Sequence, residues 1–500
     1  MTDRPNIVYL MCDQFRFDCI AALGNNDVDT PNIDRLVARG ISFSNAYSTC
    51  PVCVPARLTL RTGREAYNTL CYDNGSPEPI SGMSSDIHER CGDYLAKVLS
   101  DAGYQTFGIG KFHSPFSKYE QMGYDEQLNA EPGWATMEDR LKDAYAGFML
   151  REHPEYRHIQ QMHGERANMY YFPQTSPFPP ELTVEGFVAD RTVERIESFD
   201  EEKPYFCFVS FFGPHPPFAP PIPYNYMYNP DDMPAPVCGD IEIDHMDEQI
   251  PWMNYAIWAN EISDYHAKNL WSRYYGEITY IDACIGKILD AIECRPDADN
   301  TVIAFFSDHG DCMGDHHAWQ KENYFEASCR IPMLISWPKK YQGNVSNHEL
   351  VCLTDMFGYA TALAGCEDVR DGISLSGMLD NTAAPRNTLF ACYGKPGTPL
   401  YKAMVRCGDW KYIFMSNGGY EQLFNITEDP NEHVLMNDKH PDVISGLRDD
   451  LKEWMKRPGL AAGLDNDGSL KIFEYTERER YRFIMFDASN GVKDFTRLQK

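Results

Sequence analysis

Four short apolar runs of the sequence, each about the length of a β-strand, are followed closely by side chains that can bind a cation or an anion. These side chains are Asp13 and Gln14, Lys111 and His113, His215, and Asp308 and His309. Ligands of an open α/β sheet bind at the carboxyl ends of its strands, so these groups are expected to meet at one edge. The carboxylate, amide and imidazole groups suit one divalent cation. The basic groups, together with Lys321, suit an anionic substrate or transition state.

The composition excludes several classes of protein. The 500-residue chain has 45 Lys and Arg against 74 Asp and Glu, which gives a formal net charge of −29. No run of basic residues offsets this charge, so nucleic acid is not an expected partner. An apolar share of 43% and an aromatic share of 13% exclude disorder as the main state. No apolar stretch approaches the ~20 residues that cross a bilayer, so no membrane partner is expected.

Apolar runs alternate with helical patterns, which predicts an α/β fold with a large mixed, mostly parallel sheet sandwiched by helices. Strands are predicted at 7–11, 105–110, 205–212, 302–306 and 333–337, and helical segments at 34–39 and 274–292. Alternating runs at 389–393, 402–406, 410–415 and 421–423, with a helix at 443–455, predict a small C-terminal antiparallel sheet with one helix. The predicted division is a catalytic domain at 1–380, a C-terminal domain at 381–475 and a tail at 476–500. That tail either packs on a neighbouring subunit or is solvated.

Cysteine usage bears on the compartment. The N-terminus shows no apolar signal core, and sixteen cysteines are scattered along the chain. They are interpreted as reduced thiols, which predicts a cytoplasmic location. A periplasmic or secreted location is the alternative if a signal was trimmed. Cys50 and Cys53 have the spacing of a redox or zinc-binding pair, but no second such pair follows.

The segment around Cys53 is the most specific pattern in the chain. It reads Cys53-Val54-Pro55-Ala56-Arg57 and ends in Thr62-Gly63-Arg64. It resembles the sulfatase signature C-x-P-[SA]-R-x-x-L-x-T-G-R, whose cysteine is converted to formylglycine. Other segments are similar to further motifs of that family: 103–113, 204–217, 307–332, 409–412 and 421–424. The resemblance covers residues 4–456 and implies an alkaline-phosphatase-like fold.

The resemblance also implies a reaction and residue roles. A hydrated aldehyde at Cys53 would attack the sulfur of a sulfate monoester, expel the alcohol and then release sulfate. The implied metal ligands are Asp13, Gln14, Asp308, His309 and modified Cys53. Arg57 would stabilise the hydrated aldehyde, and Lys111 would bridge it to the sulfate. His113 would act as a base, while His215 and Lys321 would hold the sulfate and serve the leaving oxygen.

Two residues depart from the family pattern. Gln14 and His309 stand where many sulfatases carry Asp and Asn, which removes hard oxygen charge from the metal site. Calcium is the expected ion, and manganese or another divalent ion is the alternative. The same two residues resemble those of phosphonate monoester and phosphodiester hydrolases, whereas Lys111 and His113 favour sulfate. A catalytically silent glycan-binding protein is the third hypothesis.

Substrate identity is not predicted from the sequence. Two aperiodic segments at 130–180 and 214–265 are expected to shape the substrate site. Their aromatic residues include Trp134, Tyr170, Tyr171, Tyr224, Tyr226 and Trp252. The expected partners are a small-molecule or carbohydrate sulfate ester and a maturation enzyme that makes formylglycine, and a homo-oligomer is left open.

Overall fold

The structure is a computed structural model that describes residues 4–75, 77, 80–131, 137–156, 171–239, 247–366 and 368–482. Within these residues, eight strands form one sheet. They are Asn6–Cys12 (β1), Gly40–Tyr47 (β2), Gln105–Gly110 (β3), Glu126–Asn129 (β4), Tyr205–Ser210 (β5), Thr301–Ser307 (β6), Met333–Ser336 (β7) and Val345–Cys352 (β8). Their order is β4-β3-β5-β1-β6-β7-β2-β8. Strand β7 is antiparallel to both of its neighbours and the other pairings are parallel, which confirms the predicted mixed, mostly parallel sheet.

Helices cover both faces of this sheet. Their bounds are Pro31–Arg39 (α1), Cys53–Thr62 (α2), Ala66–Thr69 (α3), Ile87–Cys91 (α4), Leu95–Asp101 (α5), Met137–Lys142 (α6), Ala144–Glu152 (α7), Val184–Ser198 (α8), Gln249–Ala256 (α9), Asp264–Glu293 (α10), Glu326–Cys329 (α11), Leu353–Leu363 (α12) and Leu375–Leu379 (α13). Helices α1, α8 and α10 pack with alternate residues of β1 such as Leu10. Helices α2, α5 and α12 pack on the opposite face with Tyr9. Every residue of β1 is buried, which is why the strand appears in the sequence as a continuous apolar run.

Three strands have no counterpart among the sequence predictions. Strands β4 and β8 form the two edges of the sheet, and β2 lies next to β8. Most of β4 and the first half of β8 are at least partly exposed, so polar residues replace the apolar run that marks a buried strand. Strand β2 carries Ser and Asn at its partly exposed positions.

A second sheet follows, as the sequence predicts. Its strands are Thr388–Tyr393 (β9), Lys402–Cys407 (β10), Trp410–Met415 (β11) and Tyr420–Asn425 (β12), all antiparallel, and helix Pro441–Trp454 (α14) packs on it. The hydrophobic cluster under this sheet also contains Tyr47 and Tyr324 from the first part of the chain. The residue limits of the predicted domains stay a prediction.

Several described features concern the remaining predictions. All sixteen cysteines are free thiols. In the described part of the chain, no helix combines the length and the apolar character needed to span a bilayer. Residues 476–482 of the tail pack on α9 of the same chain, through contacts such as the hydrogen bond from Trp252 Nε1 to the carbonyl oxygen of Glu479 at 3.2 Å. Trp134, Tyr170 and residues 483–500 lie outside the described residues.

Candidate active site

Strand order explains why distant parts of the sequence meet. Strands β3, β5, β1 and β6 are adjacent and parallel, so their carboxyl ends share one edge of the sheet. Asp13 follows β1, Lys111 follows β3, and Asp308 with His309 follows β6. Cys53 is the first residue of α2. The amino end of a helix carries a partial positive charge, which favours a negative group at that position.

Four of the predicted ligands form one compact cluster. One ligand atom from each of Asp13, Cys53, Asp308 and His309 lies within 4.8 Å of the others, and all four residues are buried. His309 Nε2 is 3.2 Å from Cys53 Sγ and 3.6 Å from Asp308 Oδ1. Cys53 Sγ is 3.7 Å from Asp13 Oδ1. The structure therefore brings the signature cysteine into the predicted metal site.

The donor set of this cluster fits a divalent cation. His309 Nδ1 lies 2.9 Å from the carbonyl oxygen of Gly310, which can only accept a hydrogen bond. This contact keeps a proton on Nδ1, so Nε2 is the ring nitrogen that would donate its lone pair to a bound cation once it is deprotonated. Two carboxylates in a fully buried site also require positive charge nearby. A metal ion bound by Asp13, Asp308 and His309 would supply part of that charge.

Arg57 holds the two carboxylates of the cluster. Its Nε donates to Asp308 Oδ2 at 2.8 Å, and its second terminal nitrogen donates to Asp13 Oδ2 at 2.9 Å. The remaining terminal nitrogen donates to the carbonyl oxygen of Lys111 at 2.5 Å and to Ser210 Oγ at 2.8 Å. These contacts orient the carboxylates toward Cys53. The role of Arg57 at a hydrated aldehyde, which the resemblance implies, stays a prediction.

Gln14 lies beside the cluster and its amide has a fixed orientation. The backbone N–H of Gln14 donates to Asp308 Oδ1 at 3.1 Å, and Gln14 Oε1 accepts from Lys321 Nζ at 2.5 Å. Gln14 Nε2 donates to Asp311 Oδ2 at 2.5 Å and to the Tyr171 hydroxyl at 3.2 Å. Sequence reasoning did not assign Asp311 to the site, and it named Tyr171 only among the aromatic residues of an aperiodic segment. Asp311 follows His309 by two positions, which was the available signal.

Nearby basic groups affect the pKa of the Cys53 thiol more strongly than burial does. Lys111 Nζ lies 2.5 Å from Asp13 Oδ2 and 3.8 Å from Cys53 Sγ. Burial and the Asp13 carboxylate both raise the pKa of the Cys53 thiol. The positive charges of Lys111, Lys321 and His309 outweigh both effects and hold this pKa well below its ordinary value. The position therefore stabilises a negative atom, as a nucleophile at an anionic ester requires.

The two carboxylates of the cluster have pKa values that shift in opposite directions. Burial raises the pKa of Asp13, but Lys111, His215 and other nearby positive groups lower it well below the ordinary value. Burial and the Asp13 charge together raise the pKa of Asp308. Burial lowers the pKa of His309, but the negative charges of Asp308 and Cys53 outweigh burial and raise this pKa above its ordinary value. Asp13 is thus the more strongly ionised carboxylate of the pair.

The two further histidines occupy different positions. The backbone N–H of His113 donates to the Glu131 carboxylate at 3.2 Å, and among the described residues its buried Nδ1 has no hydrogen-bond partner. His215 Nδ1 lies 2.7 Å from the carbonyl oxygen of Pro216, which places the proton on Nδ1 of the neutral ring and a lone pair on Nε2. His113 therefore has an uncommitted buried ring nitrogen, and Nε2 of His215 can accept a proton in the neutral ring or donate one in the charged ring.

A pocket of about 440 Å³ opens beside these groups. His215 and Lys321 line it, together with Trp252 and Tyr393. This volume lies within the usual range of small-molecule sites, and the mixture of aromatic and polar walls is typical of them. Of the aromatic residues in the aperiodic segments, Trp252 lines the pocket, Tyr171 is buried against Asp311, and Tyr226 is exposed.

Cys50 does not belong to the cluster. Its buried Sγ donates to the carbonyl oxygen of Tyr72 at 3.6 Å, and burial raises the pKa of this thiol well above its ordinary value. The two cysteines of the C-x-x-C pattern therefore have opposite surroundings. This difference disfavours the redox and zinc-pair interpretations.

A buried metal-type cluster at the carboxyl edge of a mixed sheet, with a nucleophile position inside it, fits the alkaline-phosphatase-like hydrolase that the sequence predicts. The chain belongs to the sulfatase family, because the family model described as Sulfatase matches residues 5–366. The model described as N-sulphoglucosamine sulphohydrolase, C-terminal, matches residues 314–457. The chain is therefore a sulfatase enzyme, as its sequence predicts.

Individual relatives and solved structures are similar to this chain over most of its length. An arylsulfatase of Clostridium perfringens is 28% identical over 89% of this chain and 93% of the relative. A choline-sulfatase of Rhizobium meliloti is 27% identical over 86% of this chain and 82% of the relative. The solved phosphonate monoester hydrolase of Agrobacterium radiobacter has the same fold, with a TM-score of 0.73 at 22% identity over 90% of this chain and 95% of that one. A solved structure in complex with its substrate D-glucosamine-2-N,6-O-disulfate has a TM-score of 0.70 at 21% identity over 91% of this chain and 98% of that one.

Proposed function

We propose that the protein hydrolyses a sulfate monoester to an alcohol and sulfate, with formylglycine made from Cys53 as the nucleophile and one divalent cation. The observation that carries the proposal is the position of Cys53 at the first turn of α2, inside the metal-type cluster and 3.8 Å from Lys111 Nζ. When bound, the cation supplies Lewis-acid activation of the nucleophile and neutralises charge on the ester. Asp13, Asp308 and His309 would hold this cation, with the Gln14 oxygen and modified Cys53 as the further predicted ligands.

The residues around Cys53 divide the remaining work. Lys111 and Lys321 offset the charge of the sulfate, which otherwise repels a nucleophile. His113, whose Nδ1 is uncommitted among the described residues, would remove the proton of the second hydroxyl of the hydrated aldehyde, so that sulfate leaves and the aldehyde is restored. His215 and Lys321 line the pocket where the alcohol part binds, so the leaving oxygen would receive its proton there. Arg57 keeps both cluster carboxylates aligned during these steps.

Phosphonate monoester hydrolysis is the second candidate. Gln14 and His309 support it, because this pair resembles that of phosphonate monoester hydrolases, and such an enzyme shares the fold. A comparison of kcat/KM on 4-nitrophenyl sulfate and on 4-nitrophenyl phenylphosphonate separates the two candidates. A sulfate preference supports the first proposal and a phosphonate preference supports the second.

The first test is a mass spectrum of the tryptic peptide that spans residues 40–57, from protein made in its own host or with a maturation enzyme. We expect the mass of a peptide in which the Cys53 thiol is replaced by an aldehyde or its hydrate. Cys53→Ala should abolish turnover, whereas Cys50→Ala, outside the cluster, should retain it. An unmodified Cys53 in active protein would overturn the proposed nucleophile. Chelation followed by reloading with calcium or manganese identifies the ion by the recovered rate.

A carbohydrate sulfate is the substrate class that we propose, since the pocket is large enough for one sugar ring and has aromatic walls. The solved complex with a glucosamine disulfate supports this choice. We also propose that a maturation enzyme converts Cys53, that the protein is cytoplasmic and that it forms a homo-oligomer. Gel filtration with light scattering tests the last of them.

A further inference from the structure

The described part of the C-terminal tail forms one wall of the substrate pocket. Thr476 is joined to Asn417, in the turn between β11 and β12, by two backbone–side-chain hydrogen bonds of 2.9 Å. Farther along, the backbone N–H of Arg478 donates to Glu248 Oε1 at 3.0 Å. Arg482 donates to the carbonyl oxygen of Tyr255 at 2.7 Å. The segment 476–482 is therefore fixed between the second sheet and α9.

Three arginines of this segment have different partners. Arg480 lies 3.4 Å from the Glu248 carboxylate, and Arg482 lies 3.2 Å from the Glu261 carboxylate. The guanidinium of Arg478 lies over the Trp252 ring, 3.7 Å from its centroid, and donates to Gln249 Oε1. Among the described residues, no carboxylate forms an ion pair with Arg478. This arginine also lines the 440 Å³ pocket that His215 and Lys321 share.

The carboxylates of the pocket wall are engaged elsewhere. Glu322 accepts from Gln249 Nε2, and Asp73 Oδ1 accepts from the backbone N–H of Gly75 at 2.7 Å. Arg478 thus presents to the pocket a positive charge that no carboxylate of the described residues neutralises, although the net charge of the protein is −29. A guanidinium has five N–H donors in a planar fork that matches a carboxylate or sulfate, and Trp252 holds this plane in place.

We propose that Arg478 determines substrate specificity by binding a second anionic group, a carboxylate or a second sulfate, on the alcohol part of the ester. The inference rests on the proposed function, because it assumes that the ester cleaved at Cys53 extends into this pocket. His215 and Lys321 mark the reacting end of the pocket and Arg478 marks a wall built by the tail. A substrate that contacts both ends would be a compact molecule with two anionic groups.

The test compares Arg478→Ala with the wild type on phenyl sulfate, on the 3- and 4-isomers of carboxyphenyl sulfate, and on the corresponding phenylene disulfates. Each ratio compares two proteins on one substrate, so differences in leaving-group reactivity cancel. We expect kcat/KM for at least one doubly anionic ester to fall about 10-fold or more, mainly through KM, with phenyl sulfate unchanged. The class of ester whose kcat/KM falls shows whether Arg478 binds a carboxylate or a second sulfate.

Two further variants separate specificity from structure. Arg480→Ala, which removes a neighbouring arginine with a carboxylate partner, should leave every ratio unchanged. Arg478→Lys should restore part of the preference because it keeps the charge. Equal losses on all esters, or no loss on any doubly anionic ester, would overturn the inference.

Binding distinguishes this inference from the proposed function. Calorimetry with Cys53→Ala protein measures the affinity for the same esters without turnover. If the wild type hydrolyses none of them, the proposed function fails. A lower affinity of Cys53→Ala/Arg478→Ala for the doubly anionic esters alone would still support the role of Arg478, and equal affinities would overturn it.

Discussion

Asp311 determines which way the Gln14 amide faces. Its carboxylate accepts from Gln14 Nε2 at 2.5 Å, from the Tyr171 hydroxyl, and from the backbone N–H groups of Met313 and Gln320 at 2.9 and 3.2 Å. An acceptor at this position fixes Nε2 on one side of the amide and directs Oε1 to the other side, toward Lys321. Partners behind a ligand commonly set its orientation in this way.

We expect Asp311→Ala to lower kcat by about 10- to 100-fold, because the Gln14 amide can then rotate its oxygen away from the reacting end of the pocket. Tyr171→Phe is the matched control, since it removes the hydroxyl that contacts both Asp311 and Gln14 Nε2 but leaves the hydrogen bond from Gln14 Nε2 to Asp311. Steady-state kinetics on 4-nitrophenyl sulfate, with metal content measured for each variant, provides the readout. An Asp311→Ala enzyme with wild-type kcat would show that Gln14 needs no such partner.

At the scale of elements, the end of β3 depends on one glycine. Gly110 has a φ of +103°, and a Cβ at this residue would lie 1.8 Å from the carbonyl oxygen of Ser210 on β5. The backbones of β3 and β5 can approach this closely only because no side chain intervenes. Lys111 follows Gly110 directly, so the backbone at this glycine helps to place the Lys111 ammonium group beside Asp13.

We expect Gly110→Ala to destabilise the fold by more than about 2 kcal/mol and to reduce kcat, because the two strands must separate at the active-site edge. Gly408→Ala is the control: its φ is also positive, +56°, but the added Cβ meets no atom within 4 Å. That control should cost about 1 kcal/mol and leave kcat unchanged. Urea unfolding and steady-state rates give both quantities. Similar losses for the two variants would show that the positive φ alone sets the cost.

Helix α8 places a carboxyl group in the core. Glu185, in its first turn, accepts from the backbone N–H of Gly213 at 3.1 Å and is only 7% exposed. Burial raises the pKa of Glu185 to about 7. Between the ordinary pKa of 4.5 and this value, the unfolded chain releases its proton before the folded one does. The contribution of Glu185 to stability is therefore complete below pH ~4.5 and is lost as the pH rises through about 7.

We expect Glu185→Gln to remove this loss, so its free energy of unfolding relative to wild type should rise by about 2–3 kcal/mol from pH 5 to pH 8. Glu194→Gln, an exposed position on the same helix, should show the same difference from wild type at both pH values. Urea unfolding at the two pH values measures this. A Glu185→Gln curve parallel to wild type would show that Glu185 is ionised throughout.

At the scale of the whole molecule, a buried charge network connects the two sheets. Lys411 on β11 lies 2.9 Å from Glu326 Oε1 on α11 and 2.5 Å from Glu432 Oε1. All three residues are almost completely buried. Removal of one member of such a network leaves a buried charge without its partner, which costs more than the network itself contributes.

We expect Lys411→Met to lower the free energy of unfolding by about 3–5 kcal/mol. Lys452→Met, which removes the exposed pair with Asp449 on α14, should change it by less than about 1 kcal/mol. Denaturant unfolding monitored by fluorescence and by circular dichroism measures both variants. If the fluorescence and circular-dichroism transitions of the wild type coincide and Lys411→Met has only a small effect, the hydrophobic cluster under the second sheet is what couples the two sheets.

The sequence by itself determined the buried strands and the groups at their ends. Strands β1, β3, β5, β6 and β7 are buried, so each is recognisable as an apolar run within a few residues of its true bounds. The residues that follow them could be placed together because carboxyl ends of parallel strands meet at one edge. The family resemblance at Cys53 supplied the proposed nucleophile and the proposed reaction, which strand patterns alone do not contain.

The tertiary structure decided the contacts between residues that no local pattern connects. Gln14 and Asp311 are 297 positions apart, and Arg478 meets Trp252 across more than two hundred residues. Arg57 contacts Asp13 and Asp308 because α2 begins at the sheet edge, which the signature does not specify. Short helices such as α9 gain most of their stability from packing, so aperiodic sequence does not reveal them. The chain's periodicity therefore predicts the scaffold, whereas the walls of the pocket depend on how distant segments pack.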